Sequence, residues 1–308
     1  MFFTKQTTGL KNLFLYLISS LIWGSTWLVI TFQLGVVDPI VSVVYRFVLA
    51  GIMLFVCCIV LKMELSYKPK DHFFFALQGF FLFGINYWLV YLAEVHLKSG
   101  LVALLFSLIV FMNIFNGFLF LGKPIRKLVL IGGIVGVLGT FLVFYSDILT
   151  FSFTDENSLA LVLGLTAVLS ASFGNIISAR NQINSLPVLQ TNAFGMFYGG
   201  LAMFAIALFT GAELNFDTSF SYIASLVYLT LFGSIAAFSA YLKLLGNIGP
   251  DKSAYVTLVI PVIALILSTI FEDYQWSPHA AVGVVLILGG NTLILQRKKR
   301  NSQTADRD

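Results

Sequence analysis

The sequence predicts an all-α integral membrane protein: ten transmembrane helices arranged as two inverted five-helix repeats, with both termini cytoplasmic. Three observations carry this expectation: extreme apolarity, ten apolar stretches divided by turn residues, and self-similarity at a spacing of about 150 residues. Of 308 residues, 58% are hydrophobic and 10% charged, and the mean hydropathy is +0.93. An ordinary soluble domain carries roughly 25% charged residues. At about 20 apolar residues per span, a chain of this length holds about ten spans with short loops and leaves little for a water-soluble domain. The 31 Phe and 25 Gly suit the same class, because Phe covers lipid-facing surface and Gly lets helix backbones approach closely.

In order, the apolar stretches run over 13–32, 40–61, 73–93, 100–121, 128–146, 159–178, 188–210, 221–242, 253–271 and 279–296. The first follows Lys5 and Lys11 and superficially resembles a signal peptide. Its apolar run is too long for such a segment and no small-x-small cleavage site follows, so it reads as a retained first span. Pro39, Pro69, Pro124, Pro187, Pro250 and Pro278 stand at the joints, where a missing N–H and a fixed φ interrupt helices. Pro261 is the exception, inside the ninth span. Cys57 and Cys58 are adjacent within the second span, which offers neither a disulfide framework nor metal-ligand spacing; they read as packing residues.

Orientation follows from basic residues, because short loops rich in Lys and Arg stay cytoplasmic. Of the 18 Lys and Arg, all but Lys98 and Arg46 fall in the two termini or the even-numbered loops. The net charge of +4 therefore conceals a strong asymmetry. The basic tail, Arg297 to Arg300, reads as an anchor at anionic headgroups of the lipid bilayer rather than as a nucleic-acid patch.

The repeat shows in particular residues. Leu82-Phe83-Gly84 returns as Leu231-Phe232-Gly233, followed by Tyr91-Leu92 and Tyr241-Leu242; Gly133 and Gly139 match Gly283 and Gly289; Trp23-Gly24 matches Phe173-Gly174. The organisation expected is a first repeat over 1–150, a second over 151–297 and a basic cytoplasmic tail over 298–308. Five spans per half is odd, so the halves insert with opposite orientations, an arrangement that recurs among secondary transporters and suits alternating access.

The chain resembles the EamA-type members of the drug/metabolite transporter superfamily over nearly its whole length. The resemblance rests on Trp23-Gly24-Ser25-Thr26, on Pro39 with Arg46-Phe47, and on Ile248-Gly249-Pro250 through Lys252-Ser253-Ala254 to Pro261-Val262. Phe271-Glu272, Gly283 and Leu288-Gly289-Gly290 complete it. One departure is visible: the acidic residue usual after Leu-Gly at the end of span four is replaced in Leu121-Gly122-Lys123-Pro124, while the second half keeps Glu272. The resemblance implies a central cavity between the halves, lined by spans one, three, four, six, eight and nine.

Those are the spans that carry uncharged polar and aromatic residues at mid-depth, which in lipid must face other helices or a cavity. The substrate-binding candidates are Trp23, Asn86, Tyr87, Tyr91, Asn113, Asn175, Ser234 and Tyr255, each of which could equally be interhelical glue. A polar, uncharged, aromatic-lined pocket suits a small zwitterionic metabolite. Arg46 lies about 10 Å along its helix from Pro39, deep enough to be either a functional charge or an interhelical clamp or snorkelled anchor. Glu94 and Lys98, spaced i, i+4, read first as a surface pair; the alternative is that Glu94 partners Arg46 or gates the outer mouth. Glu272 is a structural charge and Pro261 a hinge or kink. Gly132, Gly136, Gly283, Gly289 and Gly290 form small-residue faces for packing within the chain or across a homodimer.

No acid falls in the middle of any span, and no span carries an HExxH, a paired-carboxylate or a Ser/His/Asp constellation. The expectation is therefore not an enzyme, with no cofactor and no metal, but a secondary transporter. It would move a small organic metabolite, an amino acid or related zwitterion, across the bacterial plasma membrane, by export, with uptake of a scavenged metabolite as the rival direction.

Overall fold

The computed structural model describes residues 2–295 except 123, 126, 146–148, 150, 151, 153, 154 and 249–255. The proposed tail over 298–308 and the candidate Tyr255 lie outside the described residues. Among the described residues ten helical elements follow one another. They are α1 (Phe2–Thr31), α2 (Pro39–Val60), α3 (Pro69–Gln78, a π-helical segment Gly79–Ile85, then Asn86–Glu94) and α4 (Ser99–Leu105, a 3-10 turn Phe106–Leu108, then Ile109–Leu121). Then come α5 (Lys127–Val143), α6 (Glu156–Ile183), α7 (Val188–Thr210) and α8 (Phe220–Tyr228, a π-helical segment Leu229–Ala236, then Ala237–Ile248). The last are α9 (Val256–Phe271) and α10 (Pro278–Leu295).

Local chemistry sets the ends. Pro39 occupies the first turn of α2, where its missing N–H is not needed, and the Asp38 side chain accepts from the Ile40 N–H at 2.9 Å. Asp155 caps α6 by accepting from the Ser158 N–H and hydroxyl, which hold its carboxyl below the ordinary range. Gly122 closes α4 at φ 64°, a left-handed conformation in which a side chain would be strained. One boundary departs from expectation: α6 runs on past residue 178 to Ile183. There Arg180 stacks on the Phe74 ring at 3.6 Å and buried Asn181 donates to Gln78 at 2.9 Å, so polar residues that break the apolar pattern are satisfied by neighbouring helices.

Among the described residues six helices are long and apolar enough to cross a membrane: Leu10–Thr31, Pro39–Val60, Pro69–Glu94, Ser99–Leu121, Glu156–Ile183 and Val188–Thr210. Four shorter apolar helices accompany them, Leu130–Val143, Phe220–Ala236, Val256–Phe271 and Pro278–Leu293. The expectation of ten full-length spans is thus met in part. For α9 the preceding residues lie outside the described set.

The element order repeats at an offset of about 150 residues, π segments included. Packing follows the same exchange: α1 lies on α8 and α9, α6 on α3 and α4, α2 on α7, and α5 on α10. Each half therefore completes its core with helices of the other. The α5–α10 seam uses the glycine faces within the chain. A Cβ on Gly139 would stand 2.6 Å from the Gly283 carbonyl, and one on Gly290 2.5 Å from the Gly132 carbonyl, so only hydrogen fits there.

Candidate functional site

Both π segments sit where opposite halves meet, and each carries one copy of the Leu-Phe-Gly repeat. Widening one helical turn leaves a carbonyl without its usual partner, and a buried carbonyl needs a donor. In each half that donor comes from the first helix of the other. Ser170 of α6 donates its hydroxyl to the Phe81 carbonyl at 2.8 Å, and Trp23 of α1 donates its indole N–H to the Gly233 carbonyl at 3.1 Å. Trp23 also packs its ring on Phe238 and Tyr241. Trp23→Phe keeps most of this packing and removes the donor, so it is expected to cost about 1–3 kcal/mol, the range for stranding a buried acceptor. Thermal unfolding of the variant in detergent checks this; an unchanged midpoint would show that the Gly233 carbonyl is satisfied without Trp23.

Beside these segments α1, α3 and α4 border a cavity of 90 Å³, lined by Thr26, Trp27, Ile30, Asn86, Tyr87, Val90 and Phe106. A water molecule occupies about 30 Å³ of liquid, so the space suits a few waters or one very small organic molecule. Trp27 and Phe106 pack with ring centroids 4.8 Å apart along it. Asn86 is 3% exposed; its amide donates to the Leu82 carbonyl at 3.0 Å, while its Oδ1 has no hydrogen-bond partner among the described residues. A mainly apolar, aromatic-lined cavity with the Thr26 and Asn86 side chains among its lining is suited to a small molecule that carries few polar groups.

Next to the cavity, against Tyr87, lies a buried arginine. Arg46 is 1% exposed, so it does not snorkel. Its guanidinium stands 4.6 Å from the Tyr87 ring centroid and 5.1 Å from that of Phe47, while Nε and Nη1 have no hydrogen-bond partner among the described residues. Gly233 lies beside it, and a Cβ there would come 2.9 Å from Thr26 Cγ2, so the glycine makes room for Thr26. Glu94 is 6% exposed, both its carboxylate oxygens lack a hydrogen-bond partner among the described residues, and the charges acting on it are Glu272 and Arg46.

This overturns the reading of Glu94 and Lys98 as a surface pair. The helix ends at Glu94, so the i, i+4 spacing no longer places Lys98 on its face, and Lys98 Nζ donates instead to the Asp273 carbonyl at 2.5 Å. Glu272 caps α4 from the other half, accepting from the Ser99 N–H at 3.1 Å and the Ser99 hydroxyl at 2.5 Å.

The remaining candidates fall elsewhere. Tyr91 is fully buried, donates to Gln33 Oε1 at 2.6 Å and has a side-chain hydrogen-bond interaction with Arg46, so it ties that arginine to α3 without lining the cavity. Asn175 of α6 donates to Asn113 of α4 at 3.3 Å, beside a second tie between the same helices from Asn116 to Ser172 at 2.9 Å. Ser234 donates to the Leu229 carbonyl at 3.0 Å inside the second π segment and borders a separate small pocket with Asn192 and Phe238. Pro261 is buried within the continuous helix α9. Thus Asn86 and Tyr87 line the cavity with Arg46 against Tyr87, and the lining comes from α1, α3 and α4 rather than from both halves equally. Sequence reasoning missed Gln33 and the buried network in which Gln78 donates to Asn192 at 2.9 Å and accepts from Asn181. An amide at residue 78 inside an apolar stretch was the available signal. Among the described residues no group of three His, Cys, Asp or Glu could hold a metal ion.

The model of the EamA-like transporter family matches residues 10–145 and again 158–296. The chain is 29% identical over 252 residues to the uncharacterized inner membrane transporter YedA of Escherichia coli K12, covering 81% of this chain and 79% of that protein. It is 22% identical over 284 residues to the protein PagO of Salmonella typhimurium LT2, covering 91% of each. A protein of known crystal structure superposes with a TM-score of 0.66 at 15% identity, covering 92% of this chain and 95% of the other.

Proposed function

The chain belongs to the EamA-like transporter family, and on that premise we propose that it is a secondary transporter that exports a small organic metabolite, an amino acid or related zwitterion, by alternating access. The observation that carries the reading is the cavity between α1, α3 and α4, lined by Thr26, Asn86 and Tyr87 among apolar side chains, with the buried Arg46 guanidinium packed against Tyr87. Groups of that kind are costly in a membrane unless a ligand or a water-filled path uses them. The doubled family match, the recurrence of elements at one offset and the exchange of packing partners support two inverted five-helix halves, ten spans in all. Basic residues at the even loops support cytoplasmic termini, and the likeness to an inner membrane transporter supports the bacterial plasma membrane.

The test is untargeted metabolite profiling of medium and cell extract from cells expressing the intact protein or Asn86→Ala. The expected result is a set of polar species that accumulates in the medium only with the intact protein. Depletion from the medium would reverse the direction to uptake, and no difference in either compartment would remove the small-metabolite reading.

A further inference from the structure

We propose that the two halves stand in different conformations here and that transport exchanges them, with one serine-to-carbonyl hydrogen bond passing from the first π segment to the second. The inference rests on the alternating-access reading above and names the residues that such a cycle moves. In an inverted repeat, a state open to one face becomes a state open to the other when the halves trade conformations. Contacts that one half makes and the other lacks are therefore the contacts to be traded.

The match of Trp23-Gly24 with Phe173-Gly174 makes Ser20 the counterpart of Ser170, and the match of the two Leu-Phe-Gly copies makes Thr230 the counterpart of Phe81. In the first π segment the pair is joined, since buried Ser170 donates to the Phe81 carbonyl at 2.8 Å. In the second it is not. Ser20 is buried and its hydroxyl has no hydrogen-bond partner among the described residues, and the same holds for the hydroxyl of Thr230. Buried hydroxyls in a folded protein are normally satisfied, so two orphans at the positions equivalent to a formed bond mark a contact that another state makes.

The glycines beside these serines show the same difference. A Cβ on Gly174 would stand 2.5 Å from Leu82 Cβ and 2.8 Å from the Leu82 nitrogen, so α6 sets its glycine on the π segment of α3. A Cβ on Gly24 would instead stand 2.6 Å from Ile263 Cβ, so α1 sets the equivalent glycine on α9, the counterpart of α4 rather than of α3. Trp23 spans what Ser20 does not, its longer side chain reaching the Gly233 carbonyl at 3.1 Å. In the exchanged state α1 turns so that Gly24 meets the second π segment and Ser20 donates to the Thr230 carbonyl, while α6 turns off the first and Ser170 releases Phe81. Because α1 also walls the cavity through Thr26, Trp27 and Ile30, the same turn reshapes that space.

The test takes the full chain with Thr26→Cys and with Cys57 and Cys58 replaced by serine, in right-side-out and inside-out vesicles without added metabolite. The readout is the ratio of the rates at which a small membrane-impermeant thiol reagent modifies position 26 from the two faces, which reports the balance between the two states. Ser170→Ala removes a bond made only in the state seen here, and Ser20→Ala one made only in the exchanged state. The two variants are therefore expected to move the ratio in opposite directions, each by about threefold to tenfold, the factor for one hydrogen bond, and the double variant to return it close to the parent value. Hydroxyls with a merely structural role would change the unfolding midpoint without moving the ratio. A ratio unchanged in Ser20→Ala, or moved the same way by both variants, overturns the exchange while leaving alternating access intact. Modification of the parent from one face alone, or from neither while a cysteine in an exposed loop reacts, overturns alternating access and the exchange together. Alanine suits a helix interior, so both variants are expected to fold; should Ser170→Ala not fold, the ratio in Ser20→Ala decides the matter.

Discussion

Glu94→Gln is expected to leave stability unchanged or raise it by about 1–3 kcal/mol, because the carboxylate it removes is buried and makes no hydrogen bond or ion pair among the described residues. Gln has nearly the volume of Glu, so the change isolates charge from packing. Unfolding midpoints of the parent and the variant decide it; a loss of about 3 kcal/mol or more would show that the carboxylate compensates a buried positive charge.

The second large effect is expected at Gly79, where the first π segment begins. A Cβ there would lie 2.2 Å from the Gly195 carbonyl oxygen and 2.8 Å from the Gly199 nitrogen, and a Cβ on Gly199 would in turn lie 2.5 Å from the Gly79 carbonyl. The obstacles are backbone atoms of α7, which cannot swing aside as a side chain would. Gly79→Ala must therefore part α3 from α7, at a cost of about 3 kcal/mol, the upper end of the usual overpacking range. Gly136→Ala is the control, since a Cβ there meets nothing within 4 Å. Within a helix that change is expected to be neutral or to stabilise by about 0.5–1 kcal/mol. Matching midpoints for the two alanine variants would contradict the packing described for α3 and α7.

What the sequence reveals of such a protein divides along a physical line. Features that act by repetition are legible: apolar stretches, prolines at joints, and glycines and Leu-Phe-Gly copies at a fixed offset all follow from needs that recur in both halves. The π segments are not legible, because the sequence signal at Leu82-Phe83-Gly84 and Leu231-Phe232-Gly233 says that something recurs without saying that a helical turn widens there. Chemistry is less legible still, because it sits in one half. The positions 150 residues after Arg46, Asn86, Tyr87 and Glu94 are Met196, Ala236, Ala237 and Leu244, so the second repeat keeps the scaffold and fills the equivalent sites with apolar side chains. Glu94 shows why spacing misleads. Four residues before a lysine on a continuous helix is a surface pair, but one helix ends at Glu94 and the next begins at Ser99, a fact of chain geometry that apolar periodicity does not encode. Asn113 and Asn175 show the converse, since two amides on different helices that read as candidate ligands for a substrate are hydrogen-bonded to each other.

The most direct test of alternating access through the cavity between α1, α3 and α4 is the accessibility of Thr26, which lines it. With Cys57 and Cys58 replaced by serine, Thr26→Cys would be exposed to a small membrane-impermeant thiol reagent in right-side-out and in inside-out vesicles. The account predicts modification from both faces, each slowed by a transported amino acid. Modification from one face alone, or from neither while a cysteine placed in an exposed loop reacts, would contradict it.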